Sequence, residues 1–166
     1  MTRLGISYII NHMLKIIRAD SKKYLGDARE LFTEYAKSLG FDLCFQNFDS
    51  ELAKLPGEYA PPEGCLLLAL YNKQIAGCIA LRKSRKRICE MKRLYIRPKF
   101  RGKGIGKKIA VTIIQEAKKI GYKHMRLDTV PKMIEAITLY RSLGFKKTKP
   151  YCYNPIKGAL FMDLAL

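Results

Sequence analysis

The sequence is short of acid and short of metal ligands. Across 166 residues, 14 Asp and Glu stand against 32 Lys and Arg, a formal charge of +18, and the only histidines are His12 and His124. The five cysteines, at 44, 65, 78, 89 and 152, form no C-x-x-C pair, so no zinc or other metal site is expected. Four of them lie in apolar segments, which suits small buried side chains in a reducing, cytoplasmic setting. No apolar run is long enough to span a bilayer. The first, residues 4–10, also lacks a small-residue cleavage signature and is interrupted by Asn11 and His12, so neither a targeting signal nor membrane attachment is expected. No repeat, low-complexity tract or linker divides the chain. One domain is therefore expected over residues 13–166, with 1–12 as an N-terminal extension and Met13 as an alternative start.

What is present points to a globular protein. Hydrophobic residues make up 48% and aromatics 10%, enough for a core in a chain of this length. The positive excess attracts polyanions, phosphorylated ligands or acidic surfaces. Basic residues are scattered, with clusters at 82–87 and 146–149, and no helix-turn-helix or other reading motif accompanies them. Nucleic acid is accordingly a lesser alternative, not the leading partner.

Periodicity supplies the elements. Residues 14–18 form a β-type run, Asp20 or Ser21 can cap a helix, and Tyr24, Ala28, Leu31, Tyr35 and Leu39 share a face that ends at Gly40. An aromatic stretch at 41–48 leads to a short helix, capped by Asp49 or Ser50 and stopped by Pro56. Apolar runs at 65–71 and 75–81, separated by Asn72-Lys73-Gln74, predict a hairpin of buried strands. A basic turn at 82–87 then leads to a long strand at 88–97. Ile109, Ile113, Ala117 and Ile120 mark a helix ended by Gly121, and a strand follows at 125–130. Pro131 allows a last helix, with Met133, Ala136, Tyr140 and Leu143 on one face up to Gly144. Strands at 145–149 and 159–164 close the chain around a loop at 150–155.

Between the long strand and the long helix stands Arg101-Gly102-Lys103-Gly104-Ile105-Gly106-Lys107. Three glycines in five positions let the backbone approach a ligand with its N–H groups inward, and the helix start adds its positive end, so an anion such as pyrophosphate suits the stretch. A Walker loop is excluded by Arg101 and Lys108, which stand where glycine and Ser or Thr are required. G-x-G-x-G two-thirds of the way along the chain does not meet the dinucleotide fingerprint either. The pattern R-x-x-G-x-G at Arg101, Gly104 and Gly106, with A-x-x-L-Y-x-x-x-G-F at 136–145, resembles the GNAT superfamily of N-acetyltransferases. Stretches at 41–46, 55–62 and 89–95 are similar to those of a group of small bacterial members.

That resemblance implies a mixed α/β (α+β) fold with a mostly antiparallel central sheet of about seven strands and helices on both faces. It implies that the strand before the glycine loop and the strand after its helix splay apart around acetyl-CoA. The main chain of Leu94, Tyr95 and Ile96 would then hold the pantetheine arm. The pyrophosphate would fall to Arg101, Gly102, Lys103, Gly104, Ile105, Gly106 and Lys107. The family often carries Asn three residues before the signature alanine; this chain has Met133.

Acetyl transfer to an amine sets tasks that side chains can meet. An alkyl ammonium near pKa 10.4 is almost wholly charged at pH 7, and freeing its lone pair costs roughly 4–5 kcal/mol, so a base is expected. Glu90, in an apolar strand, is the best-placed carboxylate, and burial is expected to raise its pKa; pairing with Lys92 or Arg93 is its structural alternative. Tyr140, a phenol protonated at neutral pH, can return a proton to the departing thiolate, and the family uses its corresponding tyrosine in that way. A main-chain N–H near Leu94 or Tyr95 can receive charge from the carbonyl oxygen. Phe45, Gln46 and Tyr59 are candidates for the substrate wall, and Asp128 for a site residue or a cap. The expected activity is acetyl-CoA-dependent transfer to a primary amine of a small molecule or peptide in a ternary complex, with homodimerisation left open. A CoA-binding module without catalysis and a nucleic-acid-associated protein are the alternatives.

Overall fold

A computed structural model describes residues 8–9 and 13–166. Its strands are β1 (Tyr8–Ile9), β2 (Leu14–Arg18), β3 (Cys65–Tyr71), β4 (Gln74–Arg85), β5 (Ile88–Ile96), β6 (His124–Thr129), β7 (Lys146–Lys147) and β8 (Leu160–Ala165). They form one sheet in the order β1-β2-β3-β4-β5-β6-β8-β7, and only β5 and β6 pair in parallel. The α-helices among the described residues are α1 (Lys22–Leu39), α2 (Phe48–Lys54), α3 (Ile105–Ile120) and α4 (Ile134–Ser142). Among the described residues, no helix is long and apolar enough to cross a membrane.

Strands β3 and β4 read as nearly unbroken apolar runs because both of their faces are covered. On one face Leu67, Ile79, Leu81 and Met91 pack with Ile105, Ile109 and Ile113 of α3 and Tyr140 of α4. On the other, Leu66, Leu68, Ala80 and Tyr95 pack with Ala28, Leu31 and Phe32 of α1 and with Phe48 of α2. The expected mixed, mostly antiparallel sheet with helices on both faces is what the chain forms, and Tyr8–Ile9 brings the strand count to eight.

Several boundaries differ from the sequence reading, each for a local reason. Asn47, not Asp49 or Ser50, stands at the start of α2, with left-handed backbone at φ 54°, a conformation that asparagine tolerates better than most residues. The hairpin after β3 closes on Asn72 and Lys73, both at positive φ, the two-residue turn whose twist matches the strands. Most of the basic segment is strand: β4 runs on to Arg85, so the turn to β5 is only Lys86-Arg87. Helix α4 starts at Ile134, not at Pro131, and the strand expected at 145–149 shrinks to Lys146–Lys147. Cys44 lies exposed on a 3-10 turn, whereas Cys65, Cys78 and Cys89 are core residues. Burial pushes the Cys65 and Cys89 thiols up to about 12, which leaves them protonated and unreactive.

Two irregularities in the middle of the sheet make the opening. The parallel pairing of β5 with β6 covers only Ile88, Cys89 and Glu90 against His124, Met125 and Arg126, after which the strands part. In the same region the β4–β5 register slips between Cys78 and Ala80, opposite Arg93 and Leu94 of β5, and Arg93 sits at φ 60°. This is a β-bulge, which bends a strand and redirects its side chains. Gly77 lets β4 follow: a Cβ there would stand 2.4 Å from the Tyr95 carbonyl oxygen.

Candidate active site

Beyond the point where β5 leaves β6, a cleft of about 690 Å³ opens on its free end. Leu94, Tyr95 and Ile96 line one side, the loop residues Arg101, Gly102, Gly104, Ile105 and Gly106 the floor, and Met133, Ala136 and Leu139 the far wall. Gly102 and Gly104 stand at φ 77° and 74°, and a Cβ on either would meet nothing within 4 Å, so both bare backbone units border open space. Helix α3 starts on Gly104 without a side-chain cap, and Lys108 makes the first backbone bond back to Gly104. The N–H groups of the first turn are therefore left for an outside acceptor, at the positive end of a 16-residue helix. Lys103 and Lys107 bring positive charge to the same loop. An elongated ligand with a pyrophosphate and an amide-bearing arm, such as CoA, fits this lining. Arg101 also folds back: its Nε donates to the Ile96 carbonyl oxygen at 2.9 Å, and its guanidinium lies 5.8 Å from the Tyr95 ring. Met133 borders the cleft.

A second cavity, of about 680 Å³, lies on the α1/α2 side of the sheet. Phe45, Gln46 and Tyr59 line it together with Glu90, Arg82, Lys92, Cys152 and Tyr153, and the segment from Asn47 to Glu58 adds Glu51, Lys54 and Glu58. Between the two clefts is a small space of about 40 Å³ bordered by Tyr35, Gln46, Lys92, Leu94, Asp128, Tyr140 and Asn154. Residues from both faces of the sheet meet here because β5 and β6 have separated: Tyr140 comes from α4 on one face, Tyr35 from α1 on the other. The glycine loop and the strand residues 94–96 share the first cleft; Glu90 and the aromatic residues share the second; Tyr140 stands at the junction.

Charge in the second cavity is largely internal. Glu90, 3% exposed, accepts Arg82 Nε at 2.8 Å and Nη2 at 2.7 Å on one oxygen, and the Tyr151 hydroxyl at 2.8 Å on the other. Burial is the largest influence on its carboxyl and pushes the pKa up. Lys92, Arg82 and the Tyr151 hydroxyl together outweigh it and hold the group below the usual carboxylate range. The expected upward shift is thus reversed, because burial comes with cations and a donor, and neither Lys92 nor Arg93 is the ion-pair partner. Arg93, 4% exposed, instead grips Glu51 through Nε at 2.8 Å and Nη2 at 3.0 Å and lies 5.2 Å from the Phe48 ring. The bulge puts two successive side chains on one side of β5, so that Lys92 Nζ and Arg93 Nη1 both donate to Gln46 Oε1, at 2.9 and 2.8 Å. Burial drives the Lys92 pKa down, with Glu90 the main opposing influence.

Tyr140 is buried, and burial, with Tyr35 and Asp128 nearby, pushes its phenol well above 10. It is a hydroxyl that stays protonated at any working pH, and among the described residues it has no hydrogen-bond partner. Its ring packs edge-on against Phe145, with centroids 5.8 Å apart. Asp128 accepts Asn154 Nδ2 at 3.0 Å.

Sequence reasoning named Lys92 only as a pairing partner for Glu90 and passed over Arg82, Tyr151 and Asn154. Lys92 carried a signal, since it stands two residues from Glu90 on a strand and so on the same face. Tyr151 and Asn154 carried none: they lie in the loop at 150–155, and only the return of the chain to β8 brings them to Glu90 and Asp128.

Comparison with known proteins gives a consistent answer. The sequence profile of the Acetyltransferase (GNAT) family matches residues 26–145. An uncharacterised N-acetyltransferase of Schizosaccharomyces pombe is 43% identical over 144 residues, which cover 86% of this chain and 88% of the relative. The fold is similar to that of an acetyltransferase from Streptococcus agalactiae, with a TM-score of 0.76 at 18% identity over 94% of this chain and 100% of the other. A GNAT family acetyltransferase from Elizabethkingia anophelis, solved with acetyl-CoA bound, aligns at 27% identity with a TM-score of 0.54 over 63% of this chain and 77% of its own.

Proposed function

The chain belongs to the GNAT family of acetyltransferases, and from that premise we propose that it transfers an acetyl group from acetyl-CoA to a primary amine in one ternary complex, in the cytoplasm. Five unpaired cysteines suit that compartment. The observation that carries the reading is the junction itself. A cleft fitted to CoA and a separate acceptor cavity meet at a narrow opening in the sheet, where the Tyr140 hydroxyl, unpartnered among the described residues, is held. Two reactants can approach there from opposite sides, which is the arrangement that direct transfer needs.

Acetyl-CoA supplies a thioester, whose C–S bond breaks as a C–N bond to the amine forms. The residues divide the remaining work. Main-chain N–H groups at Leu94, Tyr95 and Ile96, and the loop at 101–107, bind and orient the donor. Tyr140 gives its hydroxyl proton to the leaving sulfur and regains one from water. Glu90, kept ionised by Lys92, Arg82 and Tyr151, takes the proton lost by the amine, directly or through water. Oxygen of Glu90 and oxygen of Asp128 lie within 4.8 Å of each other, a span that one water can bridge. Phe45, Gln46 and Tyr59 wall the acceptor. Thiol release from acetyl-CoA, measured over a panel of primary amines, tests the reading: at least one amine should give turnover well above hydrolysis. A folded protein that binds acetyl-CoA and releases no thiol with any amine would reduce it to a CoA-binding module.

A further inference from the structure

The charges around the junction do not close on one another. Glu51 is engaged by Arg93, and Glu58 and Glu90 by Arg82. Two charged groups remain. Lys92, 7% exposed, has three ammonium donors, and among the described residues it gives one hydrogen bond, to the neutral amide oxygen of Gln46, and forms no ion pair. Asp128 is bonded on Oδ2 to Asn154 and more weakly to Cys152, and among the described residues it has no cation within ion-pair distance. Both border the small space between the clefts, beside Leu94 and Tyr140, and Lys92 also borders the acceptor cavity.

A buried ammonium with donors to spare is left short of a hydrogen-bonding anion, although Glu90 and Asp128 act on it through space, and a carboxylate with no ion-pair partner on the border of the same space is left short of a cation. One ligand can meet both needs if it carries the two charges on adjacent atoms. We propose that the acceptor is a free α-amino acid, with its carboxylate on Lys92 and its amine beside Asp128, facing Leu94 and Tyr140. This deepens the acetyltransferase reading and rests on it. The side chain then points back into the larger cavity. Tyr59 lines that cavity with a buried hydroxyl that has no hydrogen-bond partner among the described residues. A simple alkylamine leaves Lys92 unanswered. A polyamine brings a second cation toward it and is disfavoured for the same reason.

The test is steady-state thiol release by the full chain with acetyl-CoA, over the twenty amino acids, their methyl esters and the matching decarboxylated amines. At least one amino acid should exceed its own ester and amine by 100-fold or more in kcat/KM, since loss of one partner of a buried charged contact is read on that scale. Lys92→Met should collapse that ratio toward one, chiefly through a KM for the acid that rises by 10-fold or more. Circular dichroism and acetyl-CoA titration check that the variant is folded. Esters or amines turned over as well as the acids by the wild type overturn the proposal without any variant, and so does a ratio that survives Lys92→Met. Either result leaves the acetyltransferase reading in place. Silence across the whole panel overturns that reading, and the proposal with it.

Discussion

In the proposed reaction Tyr140 and Glu90 lie at opposite ends of the same chemistry, and their surroundings separate their expected behaviour. The Tyr140 hydroxyl donates to nothing among the described residues, so Tyr140→Phe removes a group that no internal bond requires. Melting temperature and acetyl-CoA affinity should stay close to wild type while kcat falls by about 10²–10⁴-fold, read by thiol release with a saturating acceptor. Glu90 is tied into the fold. Its folded pKa is depressed, so its contribution to stability is present above the unfolded value near 4.3 and is lost as pH falls through the folded value. Glu90→Gln should therefore cost about 1–3 kcal/mol at pH 7, by leaving Arg82 without its buried acceptor, and the gap to wild type should narrow below about pH 4. Urea unfolding of both proteins across pH measures it. Turnover should fall as well, with partial recovery at high pH as the amine deprotonates unaided.

Strand β5 and helix α3 make the site, each through its end. The bulge at Arg93 turns consecutive side chains to one face, and the pairing with β6 has stopped at Glu90, so residues 94–96 keep β4 on one edge and leave the other open, where the proposed donor would lie. The helix contributes an uncapped start. Gly104→Asp separates binding from folding there, because the Cβ enters open space and Asp tolerates left-handed backbone better than most residues. The variant should stay folded, with about 1 kcal/mol of backbone strain, and lose acetyl-CoA binding by calorimetry. Retained affinity would move the pyrophosphate away from this loop. The glycine spacing and the periodic face of α3 were legible in the sequence because they are local. The bulge left only a faint mark, since the alternation of Cys89-Glu90-Met91 breaks at the consecutive charged pair Lys92-Arg93, and it takes the slip of β4 to turn that break into a bulge.

At the scale of the whole molecule, the donor cleft exists only in the folded state, so ligand and fold are linked. At 100 times Kd, CoA or acetyl-CoA should stabilise the chain by about 2.7 kcal/mol, a rise in melting temperature of about 5–10 °C for a domain of this size. Differential scanning fluorimetry reads it directly, and no shift at millimolar acetyl-CoA would contradict the assignment of the cleft. Element order, the covered faces of the sheet and the anion loop followed from the sequence alone, because periodicity, glycine placement and helix starts are properties of neighbouring residues. Glu90 and Tyr140 could be singled out for the same reason, by residue type and position in a motif. Their environment could not. Lys92, Arg82 and Tyr151 reach Glu90 from β5, β4 and the loop at 150–155, and the balance between burial and those partners reversed the expected direction of the Glu90 shift. The sequence determined which groups were available for chemistry, and tertiary contact over long separations decided which were charged, which were paired, and which were left for a ligand.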